Sequence, residues 1–213
     1  MSEPQDQVER VRAGYNALSR SYRGDIADGP TQSRYATWLS RLRDHVPAGG
    51  HVLDLGCGNG IPAAQWLVDN GYRVTGVDVS DEMVSRARTL VPQAEFVRAD
   101  LSDPEALDFP AGEAAAVVAL YSLIHIPLRQ QEPLMRRIAG WLRPGGLLVA
   151  TVGHNAWQGR EQGWLGSAVE MWWSHPDAST YRSWIEDAGL AVVHEELVPE
   201  GSSGHQLIVA RRG

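Results

Sequence analysis

Three glycines at alternate positions, Gly56, Gly58 and Gly60, follow the apolar run His51-Val-Leu-Asp-Leu55 and precede Ala63, Ala64, Trp66, Leu67 and Val68, a helical pattern. A strand that turns through glycines into a helix N-terminus lets the backbone approach a ligand closely. Open α/β sheets bind nucleotide-like ligands at such turns. Asp54, inside the run, suits a cationic amino group better than a pyrophosphate. Asp78 ends a second apolar run, Tyr72 to Asp78, about twenty residues after the middle glycine, where a carboxylate can accept both hydroxyls of a ribose. The pattern G-x-G-x-G lacks the third-glycine spacing of the dinucleotide fingerprint G-x-G-x-x-G. The expected ligand therefore carries a free ribose and a positively charged end.

These residues resemble the class I S-adenosylmethionine-dependent methyltransferases. Asp54-Leu-Gly-Cys-Gly-Asn-Gly60 is similar to that family's first motif, Asp78 to its ribose acid, and Asp100-Leu101 to its adenine-contacting pair. Ala119-Leu-Tyr-Ser-Leu-Ile-His-Ile126 resembles the segment after its fourth strand, and Leu142-Arg-Pro-Gly-Gly146 the turn before its fifth. The resemblance spans Val52 to about Val152 in the family's order and carries the fold and cofactor, not the methyl acceptor. It implies a Rossmann-like α/β fold: a seven-stranded, mostly parallel sheet with one antiparallel strand, helices on both faces and an N-terminal helical cap. It also implies S-adenosylmethionine contacts from Asp54, Gly56, Cys57, Gly58, Gly60, Asp78, Val79, Met83, Asp100, Leu101 and Tyr121, with Tyr15 or Tyr22 lining the pocket.

Methyl transfer asks first for positioning, which can supply roughly 7 to 11 kcal/mol of the barrier. A general base is needed only when the acceptor arrives protonated, and adds about 10²- to 10⁴-fold. His125, just past the fourth strand, is the first candidate base, with His154 and His175 as rivals; the alternative for His125 is an anchor for the following helix. Tyr121 is placed to hydrogen-bond an acceptor or to form a pocket wall. Trp157, Trp164, Trp172, Trp173 and His175 fall in a glycine-punctuated stretch, His154 to Pro176, that holds half of the eight tryptophans. At the binding edge of a sheet it reads as an acceptor-site lid, or alternatively as an amphipathic helix with Trp164, Ala168, Met171 and Trp172 inward.

The elements that must place these residues alternate. An amphipathic helix is expected over Pro4 to Ser21 (Val8, Val11, Tyr15, Leu18) and a second over Gln32 to His45 (Tyr35, Trp38, Leu39, Leu42). A helix over Asp81–Val91, capped by Ser80 or Asp81, leads to a strand at Ala94–Ala99. The small apolar run Ala114–Leu120 suits a central parallel strand. A helix from about Arg129 stops before Pro144-Gly145-Gly146, Leu147–Val152 forms the fifth strand, and a helix covers Asp177–Ala188. Leu190–Leu197 and His205–Ala210 form a final antiparallel pair turning at Gly201-Ser-Ser-Gly204. One domain over 1–213 is expected: cap 1–47, cofactor core 48–152, lid 153–176, and a C-terminal helix and strand pair 177–213.

The 213 residues, 43% hydrophobic, suffice for a core. A formal charge of −7 argues against a nucleic-acid acceptor. The single cysteine, Cys57, excludes an intrachain disulfide, and no apolar run has transmembrane or signal-peptide character, so a soluble cytoplasmic protein, monomer or homodimer, is expected. The seven scattered histidines give no metal spacing. The leading function is methylation of an oxygen or nitrogen of a small metabolite, natural-product tailoring being one setting. The alternatives are another reaction on the same fold, such as a cyclisation, and a noncatalytic cofactor-binding protein.

Overall fold

Runs of Val, Leu and Ala bounded by glycines pair into a central sheet, and helices with one apolar stripe cover its two faces. A computed structural model describes residues 3–26, 29–200 and 203–213. Helices α1 (Glu3–Tyr22) and α2 (Gly29–Leu39) precede strand β1 (His51–Leu55), helix α3 (Ala63–Asp69), strand β2 (Arg73–Asp78), helix α4 (Asp81–Leu90) and strand β3 (Glu95–Arg98). Then come β4 (Ala114–Ala119), α5 (Leu128–Trp141), β5 (Leu142–Gly153), β6 (Trp157–Gln162), β7 (Glu170–His175), α6 (Ala178–Asp187), β8 (Leu190–Glu200) and β9 (Ser203–Arg212). The seven-stranded sheet runs β3-β2-β1-β4-β5-β9-β8, with β9 antiparallel to both neighbours. All six residues of β4 are buried, as a parallel strand covered on both faces requires. Along β4 the side chains alternate between two cores: Ala116 and Val118 belong to the one that holds Trp38, Leu67 and Ala87, whereas Val117 and Ala119 belong to the one that holds Leu134, Ile138 and Ile185.

The local signals set most boundaries. Ser80 caps α4, its hydroxyl accepting from Met83 N at 3.1 Å, and Asp177 caps α6 by accepting from Thr180 N at 2.9 Å. The second helix is shorter than its periodicity predicts: α2 ends at Leu39 and tightens into a 3-10 turn over Ser40–Leu42. Strand β5 starts at Leu142 rather than Leu147, because Leu142 already pairs with Ala114 before a register shift at Ala116. In the expected final turn, residues 201 and 202 lie outside the described residues; Glu200 pairs with Ser203 on either side.

The stretch after β5 is neither loop nor helix. β6 and β7 form a separate antiparallel hairpin, in register from Trp157↔His175 to Gln162↔Glu170. This corrects the alternative of an amphipathic helix over that stretch. Gly163 and Leu165 at its tip have φ of 74° and 54°, which no right-handed helix accommodates. Met171 alone of the expected inward set is fully buried, facing α1 where Gly14 leaves room: a Cβ there would sit 2.7 Å from Met171 Cε. No helix among the described residues is long and apolar enough to cross a membrane.

Candidate active site

The turn after β1 is held from β2. Val77 O accepts from Gly56 N (2.7 Å) and Cys57 N (3.0 Å), and Asp78 Oδ2 accepts from Gly58 N (2.9 Å). Gly56 has φ +76°, and a Cβ there would lie 2.1 Å from Ser122 Cβ, so only glycine fits. Ser122 cannot yield, since its hydroxyl donates to Leu55 O at 2.6 Å. Gly58, at φ +55°, has nothing within 4 Å of a would-be Cβ: its outer side is open. Gly60 serves packing instead, with Val91 and Phe96 3.0 and 3.3 Å from its would-be Cβ, and it lines none of the cavities described below.

Two buried acids flank this turn. Asp78 accepts from Gly58 N and, through Oδ1, from Ser80 N at 2.9 Å; burial still raises its carboxyl above the ordinary range. Asp54 is 2% exposed, its Oδ2 has no hydrogen-bond partner, and burial together with the Asp78 charge pushes its pKa up to about 7. A buried carboxylate oxygen without a partner can accept from a donor, and a cationic amine suits it best. Asp54 and Cys57 share a small pocket with Tyr22, Arg23 and Tyr35.

Gly56, Gly58, Asp78, Val79, Met83, Asp100 and Leu101 line one cleft at the strand ends, roofed by Val8, Val11, Tyr15 and Tyr22 of α1. The roof is pinned at its far end: Arg86 of α4 donates to Ser19 O, Arg23 O and Asp25 Oδ1 at 2.5–2.8 Å, and Asn59 Nδ2 donates to Gly24 O at 2.8 Å. Beside this cleft opens a cavity of about 680 Å³ with Trp157, Trp164, Trp173 and His175 of the hairpin on one side. Tyr15, Tyr22, Tyr121 and His125 line both spaces.

His125 is buried at 8% exposure on the turn after β4. Its Nδ1 lies 2.8 Å from Trp172 O and its Nε2 2.9 Å from Tyr15 OH. A carbonyl only accepts, so Nδ1 carries the hydrogen and Nε2 of the neutral ring accepts the Tyr15 hydroxyl hydrogen. Burial lowers its pKa to about 4. Tyr121 sits at φ 60°, its N donating to Thr151 Oγ1 (2.6 Å) and its hydroxyl accepting from Arg34 (3.4 Å); burial pushes it up to about 12.

Besides Gly60, and Asp54 and Cys57 in their own small pocket, two expected site residues lie apart from both spaces. His154 turns to Gln206, 3.4 Å away, and Trp172 alternates to the opposite face of β7 from Trp173, 5.8 Å from the Arg160 guanidinium, so only its carbonyl reaches the site. Among the described residues no group of three or more His, Cys, Asp or Glu is placed to hold a metal. The structure adds residues the sequence did not mark: Ser122, Arg23, Arg34, Tyr35, Glu200 and His205. Arg34, Glu200 and His205 converge from α2, β8 and β9, with Glu200 3.8 Å from Arg34 and 3.3 Å from His205.

A family model described as a methyltransferase domain matches residues 28–195. The chain is 38% identical over 114 residues to 27-O-demethylrifamycin SV methyltransferase of Amycolatopsis mediterranei, covering 51% of this chain and 41% of that protein. It is 33% identical over 158 residues to trans-aconitate 2-methyltransferase of Paracidovorax citrulli, covering 72% and 58%. The chain spans about half the length of the curated relatives it matches. Burkholderia thailandensis 1,6-didemethyltoxoflavin-N1-methyltransferase, solved with 1,6-didemethyltoxoflavin and S-adenosylhomocysteine, superposes with a TM-score of 0.72 at 19% identity over 100% of this chain and 91% of that one. That likeness establishes a shared fold.

Proposed function

This chain belongs to the class I S-adenosylmethionine-dependent methyltransferase family, and from that premise we propose that it methylates an oxygen or nitrogen of a small molecule bound in the 680 Å³ cavity. The observation that carries the reading is the meeting of two spaces at Tyr15, Tyr22, Tyr121 and His125: a cleft holding Asp78 at the glycine turn, with Asp54 in the small pocket that adjoins it at Tyr22, Gly56 and Gly58, and a cavity walled by tryptophans. Bound across the glycine turn, S-adenosylmethionine supplies an electrophilic methyl group. Asp54 holds its ammonium, Asp78 its ribose hydroxyls, and Asp100 and Leu101 with Val79 and Met83 its base.

Tyr15, Tyr22, Trp164 and Trp173 pack against one another around the junction, and a drier junction favours a reaction in which a sulfonium becomes a neutral thioether. Trp157, Trp164, Trp173 and His175 give the acceptor flat apolar surface, and the two relatives named above carry the names of small-molecule methyltransferases. Tailoring of a natural product in the cytoplasm fits that surface and the −7 charge. The test is incubation with radiolabelled S-adenosylmethionine and a fractionated metabolite extract. Label entering a small molecule supports the reading; tight cofactor retention with no transfer refutes it in favour of a binding protein or another reaction.

A further inference from the structure

We infer that Tyr15 and His125 form a two-membered proton relay for a hydroxyl acceptor, so that methylation falls on oxygen; the inference rests on the methyl-transfer reading of the site. The relay is directional. Trp172 O can only accept, which fixes the hydrogen on His125 Nδ1 and leaves Nε2 as the lone-pair nitrogen, 2.9 Å from the Tyr15 hydroxyl. Tyr15 therefore donates its own hydrogen to His125, and its oxygen, which Tyr22 also reaches, keeps a lone pair for an acceptor proton at the junction. Both residues line the cleft and the cavity alike.

The proton and electron count closes. The acceptor oxygen bonds to the donor methyl as the sulfur–methyl bond breaks, sulfur keeping that electron pair. The acceptor's proton passes to Tyr15 oxygen while the phenolic proton of Tyr15 passes to His125 Nε2. The resulting imidazolium keeps its bond to Trp172 O and gives its proton to solvent when product leaves. The sulfonium charge disappears as the imidazolium charge forms, so the dry site carries the same net charge throughout. The weak basicity that burial gives His125 is no obstacle, because a methylated hydroxyl that still holds its proton is far more acidic than an imidazolium. A nucleophile that arrives without a proton would have no use for the relay.

Its three parts come from separate elements: Tyr15 from α1, His125 from the turn after β4, Trp172 O from β7. Strand β7 is fixed at this register a second time, Gln131 Nε2 donating to Ser174 O. Trp173 packs edge to face on the imidazole, ring centroids 4.6 Å apart, and Trp164 on Tyr15, ring centroids 5.7 Å apart, so aromatic rings flank the pair.

The test compares wild type, Tyr15→Phe, His125→Asn and the double variant on small phenols and the matching thiophenols, which are thiolates at neutral pH, with radiolabelled S-adenosylmethionine; circular dichroism melts report folding. Asn at 125 keeps a donor for Trp172 O. The expected result is a phenol-to-thiophenol rate ratio that falls at least tenfold in each single variant and no further in the double. Equal slowing of both acceptor classes would assign the pair to packing, and unchanged rates with both would make them spectators; either overturns the relay. Wild type that methylates thiophenols but no phenol also overturns it while leaving the functional reading intact. Wild type that methylates neither overturns the relay, and the metabolite-extract assay then decides whether the functional reading fails with it.

Discussion

Alanine at Gly58 separates the glycine turn's role in folding from its role in binding. At φ +55° a Cβ costs about 1–2 kcal/mol of backbone strain. Nothing lies within 4 Å of that Cβ, so no packing cost is added. Gly71, at φ +81° and equally open, should lose the same amount and serves as the control. Gly56→Ala should lose more, roughly 2–5 kcal/mol, because overpacking against Ser122 adds about 1–3 kcal/mol to the strain. Urea denaturation gives these three differences, and calorimetry with S-adenosylhomocysteine gives affinity. The space outside Gly58 is where the ligand must approach, so Gly58→Ala should weaken binding at least tenfold, about 1.4 kcal/mol, whereas Gly71→Ala should leave it alone. Wild-type affinity in Gly58→Ala would show that no ligand crosses this turn and would refute the cofactor assignment.

Four further outcomes follow from neighbouring contacts. Asp54, with its pKa near 7, must ionise to meet an ammonium, so affinity for S-adenosylhomocysteine should rise with pH up to about 7, by as much as about tenfold per unit, and Asp54→Asn should flatten that slope in calorimetry. Because this folded-state pKa is raised above the ordinary 3.8, the ligand-free native state binds the proton more tightly than the unfolded chain, and Asp54 should lower stability as pH rises from 3.8 toward 7. Gln131→Ala strands the Tyr181 hydroxyl and two buried carbonyls, Ile126 O and Ser174 O, and should cost roughly 3 kcal/mol or more in denaturant unfolding. Ser80→Ala removes the α4 cap and the 2.6 Å bond to Asn16 and should cost about 1–2 kcal/mol by the same measurement.

The parallel half of the fold was legible because it rests on local rules: apolar runs for two-sided strands, glycines at turns, and acids at the ends of β2 and β3. The hairpin was not. Trp157-Gln-Gly-Arg-Glu-Gln162 holds one large apolar residue and no alternation, since β6 packs on no core, so the period-two signal was absent. Arg34, Glu200 and His205 stand far apart in sequence, and they meet only because β9 inserts antiparallel between β5 and β8, pairing His205 with Gly153. Trp172 was marked for its ring, yet it reaches the site through its carbonyl, a group every residue has and no residue type announces.

The two acids beside the glycine turn also say which ligand the fold tolerates best. Neither Asp54 nor Asp78 forms an ion pair among the described residues, and backbone N–H groups satisfy Asp78 while one oxygen of Asp54 is left bare. An uncompensated buried charge costs several kcal/mol, which is why both carboxyls are driven toward the protonated form. A cationic ligand offsets that cost and stabilises the native state by mass action, whereas a neutral nucleoside would leave it standing. Transfer of a methyl group from a sulfonium removes one positive charge from the bound ligand. With the donor placed as proposed, Asp54 and Asp78 should hold S-adenosylhomocysteine, which keeps the ammonium but lacks the sulfonium charge, less tightly than S-adenosylmethionine, a difference that calorimetry with the two ligands checks.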